Sequence, residues 1–275
     1  MRGRRASSTA IMRPQPLYLA HNLHPAYQLR YGWTGWPSTG SFPPLPTEPF
    51  LLQLSKKWEN DALRLLEHLW EKDNINLTFS ATPEVSPVLL AARAKGRLQH
   101  ALREAGKPIR FSRKVSLRSI GQSTRETVEK YIRTQLDREK MADPHYEDML
   151  RRQSFSDRSV DLSKPTQTQS GRYWYNLHLV LVVAERHRLG WDKALNDLPA
   201  VFRQIAKKKG YGISTLSVMP DHVHLALRGN IEHAPQDIAL AFQNNLAYRM
   251  GNCRVWEYNY YVGTFGEYTM RAVRR

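Results

Sequence analysis

The sequence predicts an α+β protein made of two diverged copies of one structural unit. Strand-like and helix-like hydrophobic patterns follow one another in the same order twice along the chain. A polar stretch rich in Ser, Thr and Gln, residues 151–172, lies between the two series and is typical of a linker. With 275 residues and 41% hydrophobic content, the chain is large enough for two packed cores. We therefore expect domains over residues 23–150 and 173–275, joined by a linker over 151–172.

The first domain begins with a strand-like run, Ala26–Trp36, followed by a Pro-rich loop. After this loop, apolar residues such as Leu51, Leu54 and Leu65 recur at helical spacing. The later elements, in chain order, are predicted to be helix Phe50–Glu71, strand Asn76–Leu90, helix Leu89–Glu104, strand Val115–Ile120 and helix Thr124–Lys140, with Thr124 as a possible N-cap.

The second domain repeats this order of elements. Its opening run is rich in β-branched and aromatic residues, as strands are, and Pro235 suits the first turn of a late helix. The elements are predicted to be strand Tyr173–Ala184, helix Trp191–Lys209, strand Ser217–Leu227, helix Ala234–Met250 and strand Tyr258–Gly266.

The charge of the chain favours a polyanion as its partner. Lys and Arg number 41 against 25 Asp and Glu, so the formal net charge is +16 and the isoelectric point is about 10.1. The alternative is a basic, solvated surface that has no specific ligand. Candidate phosphate contacts are Arg113, Lys114, Lys207, Lys208 and Lys209, although the three lysines also suit the solvated end of a helix.

Cysteine content and hydropathy indicate a protein of a reducing compartment. Cys253 is the single cysteine, so no disulfide can form within the chain. No apolar run approaches the roughly 18 residues of a membrane span. Residues 1–22 are basic but lack the apolar core of a signal peptide, and we expect a disordered basic arm there. The expected location is cytoplasmic and associated with the nucleoid.

The segment Met219–Leu225 carries the clearest chemical signal. It reads MPDHVHL within a strand-like run, and side chains in a strand alternate between its two faces. His222 and His224 therefore share one face, while Val223 points into the core. Two imidazoles on one face can bind a divalent cation, and neutral His together with oxygen ligands suits Mg²⁺ or Mn²⁺. Asp221 is interpreted as a residue of the turn or strand end.

An alignment of the two halves supports the internal repeat. Residues 82–88, TPEVSPV, align with residues 219–225, MPDHVHL, on the Pro, the acidic residue and the final apolar residue. In this alignment Val85 and Pro87 occupy the positions of the two histidines. Ser119–Gly121 aligns in the same way with Thr264–Gly266.

The motif MPDHVHL, flanked by helices and followed by the run Tyr260–Gly266, resembles the small single-tyrosine HUH transposases of bacterial insertion sequences. The resemblance implies ferredoxin-like, RRM-like HUH domains with antiparallel sheets. It also implies that the His pair and a Gln bind the metal and that a helical Tyr attacks single-stranded DNA, which gives a 5′-phosphotyrosine. In that family the Tyr helix of one subunit completes the His pair of the other.

Under this resemblance, each half lacks what the other half has. Tyr131 and Gln135, four residues apart, follow Gly121 at the family's spacing, whereas the equivalent Tyr position after Gly266 falls beyond Arg275. We therefore expect an intramolecular pseudo-dimer with one composite active site. The catalytic residue is predicted to be Tyr131, and the metal ligands are predicted to be His222, His224 and Gln135.

The expected function is metal-dependent nicking and joining of single-stranded DNA. The expected substrates are element ends that contain hairpins, and a second copy of the chain is a further expected partner. Two alternatives remain open. One is a relaxase-like or replication-initiator-like nickase with the same chemistry. The other is a domesticated protein that binds DNA hairpins without catalysis.

Overall fold

The computed structural model describes residues 15–44, 47–139, 141–189 and 197–273, and it contains two six-stranded sheets in these residues. The elements of the first half are β1 (His24–Gln28), β2 (Arg30–Pro37), α1 (Glu48–Glu59), β3 (Leu63–Trp70), β4 (Ile75–Ala81), α2 (Pro87–Glu104), β5 (Phe111–Ile120), α3 (Arg125–Arg133), α4 (Gln135–Arg138) and α5 (Pro144–Gln153). The elements that follow are β6 (Phe155–Ser156), β7 (Thr166–Gln167), β8 (Gly171–Trp174), β9 (Asn176–Val183), α6 (Leu198–Lys209), β10 (Gly212–Val218), β11 (His222–Arg228), α7 (Pro235–Arg249), β12 (Trp256–Thr264) and α8 (Met270–Val273).

Each half contains a four-stranded antiparallel core with a ferredoxin-like topology. The first unit has the chain order β2-α1-β3-β4-α2-β5 and the sheet order β3-β4-β2-β5. The second unit has the chain order β9-α6-β10-β11-α7-β12 and the equivalent sheet order β10-β11-β9-β12. Helices α1 and α2 pack on the first sheet, and α6 and α7 pack on the second. The predicted α+β fold with two ferredoxin-like domains is confirmed.

The strand that precedes each unit pairs with the sheet of the other unit. β1 lies parallel to β12, with Ala26 opposite Tyr261. β8 lies parallel to β5, with Arg172 opposite Ser116. The predicted linker, 151–172, also contributes strand residues: β6 pairs with β10 of the second sheet, and β7 pairs with β8 in the first.

The two units also contact each other through a reciprocal pair of backbone interactions. Gly121 bridges to Thr269, and Gly266 bridges to Thr124. The Arg125 N–H donates to the Gly266 carbonyl at 2.7 Å, and the Met270 N–H donates to the Gly121 carbonyl at 3.1 Å. Each unit thus offers the same atoms to the other, as two subunits do across a twofold axis.

Several predicted elements of the first half have different boundaries in the structure. The predicted helix Phe50–Glu71 ends at Glu59, because the chain turns at Ala62, whose φ is 62°, and continues as β3. The predicted strand Asn76–Leu90 ends at Ala81. Its last residues instead begin α2, where the Ser86 side chain accepts a hydrogen bond from the Leu89 N–H.

Two runs of the second half that are predicted as single strands are each divided into two strands in the structure. The run Tyr173–Ala184 is divided between β8 and β9, which belong to different sheets. The run Ser217–Leu227 contains the hairpin between β10 and β11, with its turn at Met219–Asp221. Helix Ala234–Met250 is confirmed as α7, and the predicted strand Tyr258–Gly266 corresponds to β12.

Some predictions fall on residues outside the described ranges. These are the first fourteen residues of the basic arm, the start of helix Trp191–Lys209, and Lys140 at the end of helix Thr124–Lys140. In the described part of the chain, no helix is both long and apolar enough to cross a bilayer.

The turn before β4 corresponds to the turn before β11. The Glu71 N–H donates to the Asn74 carbonyl at 3.0 Å, and the Met219 N–H donates to the His222 carbonyl at 2.9 Å. Both turns carry Asp at their third position, and each leads into the third strand of its unit. Residues 71–77, EKDNINL, are therefore the structural counterpart of residues 219–225, MPDHVHL.

This correspondence places Asn where the second unit has His. Counting from the two turns, Asn76 occupies the position of His224, and the first unit reads Asn-Ile-Asn in place of His-Val-His. The central apolar residue is fully buried in both strands, as Ile75 and as Val223. The first unit therefore presents amides where the second presents imidazoles.

The prediction that Val85 and Pro87 are the counterparts of the two histidines is wrong. Val85 lies in the turn after β4, and Pro87 is the first residue of α2. The alignment matched Pro83-Glu84, which follows β4, with Pro220-Asp221, which precedes β11.

Candidate active site

The His pair lies at the start of β11, on the face of the sheet opposite α6 and α7. Val223 and Leu225, which alternate with the histidines, are fully buried in the main core. His224 is buried and His222 is partly exposed. Their Nε2 atoms are 3.0 Å apart, so the two imidazoles converge on one point at the sheet surface.

The other ring nitrogen of each histidine is also engaged. The Nδ1 of His222 lies 2.6 Å from Asp221 Oδ1, and the second oxygen of Asp221 accepts a hydrogen bond from Arg186 at 3.0 Å. The Nδ1 of His224 lies 2.9 Å from the Nε2 of His178 on the neighbouring strand β9. Such contacts fix the orientation and the tautomer of metal-binding imidazoles.

Burial keeps the inner imidazoles neutral. It lowers the pKa of His224 to about 3, with further contributions from His178 and His222, and it lowers the pKa of His178 to about 4. Burial also opposes ionisation of Asp221, but His222 and Arg186 outweigh it and hold the pKa of that carboxyl below its ordinary value. Neutral imidazole is the form that binds metal ions.

The geometry of the pair fits a divalent cation. Two nitrogens that each lie about 2.1 Å from one ion are about 3.0 Å apart when the angle at the ion is near 90°, as in octahedral coordination. The observed separation of 3.0 Å matches this value. Within the described residues, no group of three His, Cys, Asp or Glu side chains could hold a metal.

Helix α3 of the first half brings Tyr131 to this pair. Thr124 is the N-cap of α3, as predicted, and accepts a hydrogen bond from the Thr127 N–H. Ile132 on the buried side of the helix packs with Ala226, which shares the face of β11 with His224. Helix α3, which precedes the second unit in the chain, thus packs on the sheet of that unit.

The Tyr131 ring stands edge-on to the buried imidazoles. Its centroid is 5.9 Å from that of His224 and 6.1 Å from that of His178. The ring is 39% exposed, and it borders a cavity of about 270 Å³ that is also lined by His178 and Tyr261. A phenol that is both accessible and adjacent to this His pair can reach a phosphate that binds there.

Gln135 is placed differently from the sequence-based expectation. Thr134 interrupts the predicted helix with φ −100° and ψ 12°, so Tyr131 lies in the last turn of α3, whereas Gln135 begins α4. The Gln135 side chain is buried, and its Nε2 atom has no hydrogen-bond partner among the described residues. Nε2 is a hydrogen-bond donor and does not bind cations, so this atom does not support Gln135 as a metal ligand, and that role stays a prediction.

The candidate phosphate contacts lie in two other places. Lys207–Lys209 form the last turn of α6, in the layer of helices on the far side of the sheet from the His pair. Arg113 and Lys114 are exposed on β5 of the first unit. The structure therefore brings none of these five residues to the His pair.

His178 is the residue of the site that the sequence did not reveal. It lies 44 residues before His222 in the sequence, on a different strand. Its contact with His224 depends on the sheet order, which places β9 beside β11. Strand alternation within one segment contains no such information.

Comparisons with known proteins match the second half of the chain. The family model described as "Transposase IS200 like" matches residues 172–275. The ISDra2 transposase TnpA of Deinococcus radiodurans is 31% identical over 127 residues, which cover 40% of this chain and 89% of that protein. Residues 172–275 contain the His pair, whereas Tyr131 lies outside them.

Solved structures show weaker overall similarity. A candidate transposase from Deinococcus radiodurans is 28% identical, with a TM-score of 0.30 and coverage of 36% of this chain and 85% of that one. The regulatory subunit of aspartate kinase from Thermus thermophilus is 10% identical with a TM-score of 0.20, and covers 78% of this chain and 91% of its own. Neither global superposition carries an argument about function.

Proposed function

This chain belongs to the family of IS200-like transposases, and from this premise we propose that it cuts and rejoins single-stranded DNA through one composite site. The single observation that carries the proposal is the position of Tyr131, whose ring lies 5.9 Å from the ring of His224 although the two residues come from different halves of the chain. The nucleophile is Tyr131, and the His pair holds the cation.

The proposed step is a transesterification at one phosphodiester. The phenolic oxygen of Tyr131 bonds to phosphorus as its proton passes to solvent, and the bond from phosphorus to the 3′ oxygen breaks. The 3′ oxygen takes up a proton and leaves as a free 3′-OH, while the 5′ phosphate remains on the tyrosine. The phosphotyrosine conserves the energy of the bond, so the reverse reaction rejoins strands without ATP.

The residues around the reacting atoms have separate roles in this proposal. His222 and His224 bind Mg²⁺ or Mn²⁺, which supplies charge neutralisation and orientation of the phosphate when bound. Asp221 and His178 orient the two imidazoles through their Nδ1 atoms. The half-exposed Tyr131 keeps its phenol open to the DNA strand.

The proposal includes a single active site in a covalently fused pseudo-dimer. Support comes from the reciprocal backbone contacts between the units and from the exchanged strands β1 and β8. At the counterpart position the first unit presents Asn74 and Asn76, so it lacks the two imidazoles that form the proposed metal site. We therefore expect the counterpart site to be inactive.

The direct test is a search for a covalent adduct between the protein and DNA. Labelled single-stranded oligonucleotides that carry candidate element ends are incubated with the protein and Mn²⁺, then analysed under denaturing conditions. We expect an adduct with the wild type and none with Tyr131→Phe or with His222→Ala/His224→Ala. The matched control Tyr248→Phe, which changes a largely exposed tyrosine on α7, keeps the adduct.

Two results would overturn parts of this proposal. An adduct that survives in Tyr131→Phe removes that residue as the nucleophile. Binding of the oligonucleotide without any adduct, for every sequence tested, favours a protein that binds DNA without catalysis. Cleavage at an origin-like site, in place of element ends, favours a nickase of the relaxase or replication-initiator type.

A further inference from the structure

A groove of about 980 Å³ lies on the face of the first sheet that α1 and α2 leave uncovered. Trp33 and Leu117 are buried in the core on the helix side. Their neighbours along the strands, Ser116 and Arg118, therefore lie on the opposite face and line the groove. In the second unit, the corresponding face carries the His pair. The groove is thus the first unit's counterpart of the active-site surface.

The lining of the groove has a single sign of charge. Lys114, Arg118 and Arg172 supply three cations, and Lys114 and Arg172 are exposed. No Asp or Glu is present among the described residues that line it. The polar wall includes the loop between β7 and β8, residues 168–170, with its amide and hydroxyl side chains. Such a lining suits a polyanion that also offers hydrogen-bonding groups.

Two tryptophans, Trp36 and Trp174, add flat apolar surface to this basic lining. The Arg118 guanidinium lies 3.8 Å from the centroid of the Trp174 ring. The Trp174 indole N–H donates to the Ser163 carbonyl at 2.7 Å, which fixes the plane of that ring. A stacked guanidinium is held in place for a phosphate, and an indole face suits an unpaired base.

We propose that this groove binds a stretch of single-stranded nucleic acid, separate from the stretch held at the His pair. Cations for the backbone together with aromatic faces for bases are the combination by which proteins bind single strands. A duplex keeps its bases stacked, so the two tryptophans have no base faces to contact. The inference rests on the proposed function, since it adds a second contact surface for the same DNA. The counterpart surface has lost metal chemistry and retains strand binding.

The test measures binding apart from chemistry. A fluorescently labelled single-stranded DNA is titrated in EDTA with protein that carries Tyr131→Phe, and anisotropy is recorded at several salt concentrations. In this background, Lys114→Gln/Arg172→Gln is compared with Lys56→Gln/Lys107→Gln, which removes two exposed charges from the helix side of the same unit. A third variant, Trp36→Ala, removes one aromatic face.

We expect the groove pair to bind at least tenfold more weakly than the background protein at moderate salt, and the control pair to bind within about twofold of it. Loss of two phosphate contacts also reduces the slope of log K against log salt by about 1.4. Trp36→Ala weakens binding about fivefold or more, as loss of one stacked base does. An unlabelled duplex of the same sequence competes poorly.

Equal affinity of the groove pair and the control pair would overturn this inference, as would a duplex that competes as well as the single strand. Either failure leaves the proposed function intact if the protein with its native Tyr131 still forms the covalent adduct in Mn²⁺. If the groove variants bind as expected but the protein with its native Tyr131 forms no adduct, the groove inference stands and the proposed function fails. Circular dichroism of each variant establishes that the fold is retained.

Discussion

At the residue scale, the site is a chain of imidazoles whose central member is buried. His178 contacts the Nδ1 of His224, whose Nε2 in turn faces the Nε2 of His222. Without a cation, one proton lies between His178 and His224 and another lies between His224 and His222, so that both contacts are hydrogen bonds. With a cation, His224 must present the lone pair of Nε2 and therefore carry its proton on Nδ1, where His178 accepts it. His178 thus stabilises the metal-binding tautomer.

This arrangement predicts that His178→Ala weakens Mn²⁺ binding by about 10- to 100-fold, the usual effect of removing the partner of a metal-binding histidine. Isothermal titration calorimetry without DNA measures the affinity directly. His178→Gln, whose amide can replace one hydrogen bond, recovers part of it. His187→Ala removes an exposed histidine of the same half and serves as the control. Unchanged affinity in His178→Ala would exclude the positioning role.

The sequence predicts the His pair but not its partners. Alternation along one strand is enough to place His222 and His224 on one face, and that placement agrees with the buried Val223. Contacts across strands, such as that of His178, require the sheet order. The position of Gln135 depends on a helix break at Thr134, and the helical spacing of its neighbours gave no sign of that break.

At the element scale, the connection between the units depends on two glycines at the ends of β5 and β12. A Cβ on Gly266 would collide with the backbone carbonyl of Ser119 in the other unit. A Cβ on Gly121 would lie 2.8 Å from the carbonyls of Ser123 and Thr264. Backbone atoms cannot move aside as flexible side chains do, so both positions require the absence of a side chain.

We therefore predict that Gly266→Ala lowers the free energy of unfolding by about 1–3 kcal/mol, the range found for overpacked sites. Thermal or urea denaturation followed by circular dichroism measures the change. The matched control is Gly96→Ala in α2, where an added Cβ meets nothing within 4 Å. That substitution is expected to stabilise the helix by about 0.5–1 kcal/mol. A neutral Gly266→Ala would show that the two units can move apart at this contact.

Element order was easier to predict than element boundaries. Hydrophobic periodicity identified α2, α7 and β5, but it merged α1 with β3 because apolar residues continue through the turn at Ala62. It also merged β8 with β9, since both are apolar and extended. Local patterns do not show that two consecutive strands belong to different sheets.

At the scale of the whole molecule, each half supplies part of the proposed site. Tyr131 comes from the first half, and the His pair comes from the second. In a dimer of separate subunits the same arrangement occurs between chains. A covalent connection converts it into an arrangement within one chain.

This difference can be tested by mixing two inactive variants. If the site forms within one chain, Tyr131→Phe mixed with His222→Ala/His224→Ala forms no DNA adduct, because no molecule has both the nucleophile and the metal pair. If two chains exchange their helices α3, the mixture contains competent sites and recovers activity up to about a quarter to a half of the wild type, since mass action sets their share. Denaturing gels of the mixture distinguish the two cases.

The pairing of β1 with β12 has a consequence for how the chain acquires its structure during synthesis. His24 lies opposite Asn259, so the earliest described strand pairs with the last one. Until β12 has left the ribosome, β1 has no partner and the edge of β9 stays open. Closing so long a loop is slow because of its entropy. A product truncated before β12 therefore exposes β1 and the open edge of β9, which makes it a target for chaperones and proteases.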